Sequence, residues 1–134
     1  MEKEVFNTSK APQPKGPYSQ AIIHNEILYV SGQGPVDAAT GSIVRGNIEE
    51  EARVTINNLK SIIEEAGYVM NDVLKVTCYL SNMDDFDGFN NVYGEYFPDV
   101  PPARTTVQAG RLPMDIKVEI DAIVGHTEGY ERRD

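Results

Sequence analysis

Few side chains in this 134-residue chain are placed to do chemistry, and the best placed is an arginine. Arg104 follows Pro101-Pro102-Ala103 and precedes Thr105-Thr106, a run that reads as the start of a strand. The two prolines keep the approach extended. The guanidinium would then stand as a fixed fork at a sheet end, a shape suited to holding a carboxylate through two parallel hydrogen bonds. An ordinary surface ion pair accounts for it equally well, because 21 acids are available. Glu119 is the second candidate, a carboxylate set into the alternation Ile116, Val118, Ile120, Ala122, Val124, where it could move protons. Its neighbours Lys117 and Asp121 make a plain solvated strand face the simpler reading.

Two loops add candidates. In Gly16-Pro17-Tyr18-Ser19-Gln20-Ala21 the glycine and proline can set the Tyr18 hydroxyl over a pocket, or the ring can pack the loop down. In Ser31-Gly32-Gln33-Gly34-Pro35 small residues at a strand end permit close approach of backbone or ligand, and a simple turn explains them as well. Cys78 alternates with Val76 and Leu80 and reads as a buried core thiol. His24 at a hairpin turn and His126 in a polar C-terminal tail read as solvated, since no partner pattern accompanies either.

One cysteine and two histidines cannot assemble a disulfide framework or a Cys/His zinc cluster within one subunit. P-loop, dinucleotide, zinc-hydrolase and serine-hydrolase signatures are absent, so the expected chemistry needs neither cofactor nor metal. With 12 basic and 21 acidic residues the net charge is 12 − 21 = −9, which argues against phosphate backbones and anionic lipid as partners. The start MEKEVFNTSK is charged from its second residue, and no run approaches the roughly 18–20 apolar residues of a membrane span. A cytoplasmic protein with no membrane attachment is expected.

The elements that must position these groups follow from periodicity. A short strand around Glu4–Asn7 precedes an ordered proline-rich loop, and Ser19–Gly32 reads as a hairpin turning at His24-Asn25-Glu26. Asn47 caps a helix whose first turn carries Glu49-Glu50-Glu51, read as solvated acids favoured by the helix dipole. Its apolar stripe is Ile48, Ala52, Ile56, Leu59, Ile63 and Ala66, and Gly67 ends it. Residues 73–80 form a strand with Leu74, Val76, Cys78 and Leu80 on one face. Ser81 or Asn82 caps a second helix carrying Phe86, Phe89, Tyr93 and Phe97. Strands over 104–109 and 116–124 complete one α+β domain spanning 1–134. About six strands with two helices on one sheet face leave the other face bare, a candidate subunit interface.

Five segments together resemble one family: Gly16-Pro17-Tyr18-Ser19-Gln20-Ala21, Ser31-Gly32-Gln33-Gly34-Pro35, Asn90-Asn91-Val92-Tyr93, Pro102-Ala103-Arg104-Thr105-Thr106-Val107, and the stretch from Leu112 to Ala122. Their order and spacing are similar to those of the Rid family (YjgF, or L-PSP endoribonuclease family), over nearly the whole chain. The resemblance implies a chorismate-mutase-like fold and a homotrimer with ligand clefts between neighbouring subunits. It implies hydrolysis of 2-imino acids, chiefly 2-iminobutanoate and 2-iminopropanoate, to 2-oxo acids and ammonia. On that resemblance Arg104 would hold the substrate carboxylate and Glu119 would orient or activate water, while Tyr18, Ser31, Gly32 and Asn90 shape the cleft. Many members carry Cys where this chain has Thr106, so thiol-dependent behaviour at that wall is not expected here. A binding or sensing module for small carboxylates is the alternative reading, and a ribonuclease or translation inhibitor a weaker one, given the charge.

Overall fold

The computed structural model describes residues 2–127. Three-residue β1 (Glu4–Phe6) pairs with β2 (Ala21–His24), which turns into β3 (Ile27–Gln33). Asn25 and Glu26 both adopt positive φ, 51° and 64°, the geometry of a two-residue hairpin turn whose twist matches its strands. Next come α1 (Ile48–Glu65), β4 (Val73–Leu80), α2 (Phe86–Tyr96), β5 (Ala103–Gln108) and β6 (Val118–Gly125). The sheet order is β1-β2-β3-β6-β4-β5, antiparallel throughout except for the parallel pair β4 and β5.

That order explains why one face is covered and the other bare. Strands β3 and β4 both run antiparallel to β6, so β3, β4 and β5 are mutually parallel and are laid down in one direction across the sheet. Right-handed crossovers then put both connecting helices on the same side. The core lies between them, with Ile56, Leu59, Ile62 and Ile63 of α1 and Val76, Cys78, Leu80, Val118 and Ile120 of the sheet each wholly inaccessible. Each such aliphatic side chain contributes about 1.5–3 kcal/mol on leaving water. Asn47 caps α1 as the spacing predicts, accepting from the Glu50 amide while the Glu50 carboxylate accepts from its own. Gly67, at φ 93°, ends the helix in the left-handed region.

Three local expectations are corrected. Leu74 is 43% exposed, because a bulge in β4 makes it the extra residue and turns Val73 into the core instead. Glu51 is not a solvated first-turn acid but is buried, accepting from the Lys117 and Gly46 amides and pairing with the Lys117 ammonium at 3.4 Å. His126 is not free in a tail, since its ring stacks on Tyr68 at 4.1 Å and Nδ1 lies 3.9 Å from Asp72. Among the described residues no helix is long and apolar enough to cross a membrane.

Candidate functional site

Arg104 is the second residue of β5, an edge strand. Its register partner on β4 is Val76, which is wholly buried under the helices, so Arg104 points to the helix-covered face. There α2 meets it with three rings. The guanidinium carbon lies 4.6 Å from the Tyr93 ring centre, 5.6 Å from Phe86 and 5.7 Å from Phe89. Among the described residues no carboxylate pairs with it, so the ion-pair alternative for Arg104 does not hold there. A cation stacked on uncharged rings keeps its N–H edges for another anion.

The surroundings are short of hydrogen bonds in a way that marks a site. The buried Asn90 Oδ1 and Tyr93 hydroxyl find no partner among the described residues, and the buried Thr106 Oγ1 has only the weak Cys78 thiol beside it. Leaving a buried polar group unpaired costs about 1–3 kcal/mol, and the Tyr93 hydroxyl belongs to the ring that lies nearest the Arg104 guanidinium. Cys78 lies alongside as the register partner of Thr106. Burial pushes its thiol up to about 12, with the nearby Arg104 charge opposing, so it stays protonated and inert as a nucleophile at neutral pH.

Glu119 belongs to a different neighbourhood. It pairs with Tyr79 on β4, three positions from Val76, so it points to the opposite, bare face of the sheet. A second bulge, between Val30 and Gln33 of β3, brings Ser31 and Gly32 alongside. A side chain at position 32 would run into Glu119 Oε2 and lie 2.8 Å from its Cδ, so only glycine leaves the carboxylate in place. The Ser31 hydroxyl donates to the Ser19 carbonyl at 2.7 Å, tying the Tyr18 loop to β3. That loop is further pinned by buried Gln20, which accepts from the Thr8 amide and donates to the Thr8 and Pro12 carbonyls.

Tyr18, Gly32 and Glu119 line a cavity of about 380 Å³ together with Lys15, Val36 and Met114. A shallower groove across the bare face also runs past Tyr18, Ser31, Gly32 and Glu119. Tyr18 is 55% exposed and lines the cavity, while its hydroxyl accepts from the Lys15 amide of its own loop at 3.4 Å. Half-burial, with Asp121 nearby, raises the Glu119 carboxyl above its ordinary range, and no described donor satisfies it. A partly desolvated carboxyl of this kind takes up and releases protons closer to neutrality.

One chain therefore gathers Tyr18, Ser31, Gly32 and Glu119 on one side and Asn90, Arg104 and Thr106 on the other. The two groups sit on opposite faces of one sheet, and neither cavity wall includes Arg104. Sequence reasoning took Phe86, Phe89 and Tyr93 as core positions and missed that they form the wall under Arg104. Their spacing gave helix and burial, and nothing in it indicated a cation above them.

The profile of the endoribonuclease L-PSP family matches residues 8–125. A RutC family protein of Pyrococcus horikoshii is 51% identical over 90% of this chain and 96% of its own. A mouse protein named 2-iminobutanoate/2-iminopropanoate deaminase is 41% identical over 90% of each chain. The crystal structure of Escherichia coli TdcF with bound serine superposes with a TM-score of 0.88 at 35% identity, covering 92% of this chain and 99% of that one. With the family profile spanning most of its length, and a relative matching half its residues over nearly the whole chain, this protein belongs to the endoribonuclease L-PSP family, the Rid family that its motifs resemble.

Proposed function

We propose that this protein hydrolyses small 2-imino acids, 2-iminobutanoate and 2-iminopropanoate, to 2-oxo acids and ammonia, in clefts formed where two copies of the chain meet within a homotrimer. The observation that carries the reading is Arg104, a guanidinium held on aromatic rings with no described acid on it, in a chain of net charge −9. Such a group is built to take a carboxylate from outside. The opposite placement of Glu119 supports the shared cleft. One chain cannot close both faces of its own sheet around a molecule of a few atoms, whereas the bare face of one copy can meet the β5 edge of the next.

In this reading Arg104 of one copy holds the carboxylate, and Thr106 and Asn90 line the same wall. Water adds through oxygen to the imine carbon while Glu119 of the neighbouring copy accepts its proton. The carboxyl passes that proton to nitrogen, leaving a carbinolamine, and then carries the remaining hydroxyl proton to nitrogen as the C–N bond breaks and the C=O bond forms, so ammonia leaves and the 2-oxo acid remains. No electrons are exchanged and Glu119 ends as it began. Its raised position suits both halves of the shuttle. Tyr18, Ser31 and Gly32 shape the space around the reacting carbon. A cytoplasmic setting belongs to the same proposal.

A binding module that only senses small carboxylates would need the Arg104 wall but not a free, raised Glu119, and that carboxyl favours the hydrolase. The name of the mouse relative and the serine in TdcF agree with small amino-acid-like ligands. The test generates the imine in place with an amino-acid oxidase and follows release of the 2-oxo acid with and without the protein. Acceleration lost in Arg104→Ala is expected, and no acceleration by the wild type overturns the proposal.

A further inference from the structure

We infer that Tyr93 is a positioning residue for the carboxylate site, holding Arg104 through the face of its ring and not through its hydroxyl. The inference rests on the reading of Arg104 as the carboxylate anchor. A guanidinium has two distinct surfaces: a flat face attracted by an aromatic ring, and an edge of five N–H donors that a carboxylate grips. At 4.6 Å from the ring centre, Tyr93 is the nearest of the three rings to the guanidinium carbon. Holding the cation over a ring removes none of its charge and puts no acceptor oxygen on its donors. An acid in the same place would do both, and would compete with the substrate.

The ring is itself fixed. Tyr93 is 7% exposed and packs tilted against Phe89, one turn back on α2, at 5.6 Å and against Phe97, just past the end of α2, at 4.7 Å. Burial drives its hydroxyl upward, away from ionisation, so the ring stays neutral beside the cation. That hydroxyl has no partner among the described residues. The side chain that matters is the ring, which pre-orders a long, flexible arginine before any ligand arrives.

The test measures 2-oxobutanoate affinity by calorimetry on the intact oligomer for Tyr93→Phe, Tyr93→Leu, and a series with phenylalanines of increasing fluorination at position 93. Fluorine drains the ring face of negative charge while nearly preserving its shape, so a role in packing alone predicts a flat series. Expected are affinity within about twofold for Tyr93→Phe, a stepwise fall with fluorination, and a loss of roughly five- to tenfold for Tyr93→Leu. In the imine assay Tyr93→Leu should raise KM with kcat nearly unchanged, because the lost order weakens ground and transition states alike. A flat fluorine series, or a Tyr93→Phe loss as large as that of Tyr93→Leu, overturns the inference while leaving the anchor reading intact. A wild type that does not bind 2-oxobutanoate overturns both.

Discussion

The two faces of one sheet carry two unlike half-sites. On the helix side Arg104 lies on a rigid wall of rings in the packed space under α2, beside an inert thiol and neutral polar groups. On the bare side Glu119 sits between a bulge, a glycine and a loop held by a few hydrogen bonds, next to a cavity many times the size of a water molecule. Under the proposed function the contrast follows from what each would do. Binding a carboxylate needs a charge that does not move and is not shared, so it is built on α2 and an edge strand. Moving a proton needs a carboxyl whose ionised form is only moderately disfavoured, with space for water and substrate beside it.

The comparison predicts different failures for the two halves, and the largest belongs to the first. Arg104→Ala removes a charge-assisted, two-bonded grip and is expected to lower kcat/KM and 2-oxobutanoate affinity by about a hundredfold or more. A loss below tenfold in both would place the anchor elsewhere. Glu119→Gln keeps shape but not proton transfer, so kcat should fall by about a hundredfold while 2-oxobutanoate affinity changes little. A matching loss of affinity would mean that the two halves do not divide the work.

Mixing sharpens the comparison further. Co-refolding Arg104→Ala chains with Glu119→Gln chains in equal amounts should restore about a quarter of wild-type activity, because a cleft that draws one half-site from each of two neighbours is intact by chance that often. Activity no higher than that of the parents would put both residues into one chain's site. The pH dependence is a smaller effect with a definite sign. Half-burial, with repulsion from Asp121 added, raises the folded-state pKa of Glu119, so its neutral form is the favoured one in the fold. Its stabilising share is therefore complete below the unfolded value of about 4.3 and is lost as pH rises through the folded value. Glu119→Gln should thus melt above wild type at pH 7 and together with it near pH 4. The smallest expected change in stability is that of Gly32→Ala. The new methyl meets the mobile end of Glu119, which can swing away, so Tm should hold within about 2 °C while kcat drops about tenfold. A large fall in Tm would show that the glycine serves the fold and not the carboxylate.

Much of the scaffold was legible before any coordinates. The Asn47 cap, the α1 stripe, Gly67, the hairpin and the buried reading of Cys78 depend on local periodicity and turn chemistry and appear as expected, except that His24, read into the turn, belongs to β2 and pairs with Ile27. The errors fall where a single extra residue or a distant partner intervenes. Leu74 violates its strand's alternation because of a bulge, Glu51 is held by Lys117, 66 residues away and just before β6, and His126 is held by Tyr68 and Asp72. Family motifs named the site residues. Nothing in those motifs told that they divide between two faces.

By itself the sequence determined which segments are strands and helices, that one sheet face would be covered and one left bare, and that a lone presented arginine would stand in an acidic chain. Only the tertiary structure decided which groups meet. Alternation fixes the face of a residue relative to its own strand, but the face shared by residues on β5 and β6 depends on their separate registers with β4. Those registers put Arg104 beside Tyr93 and set Glu119 on the other side of the sheet.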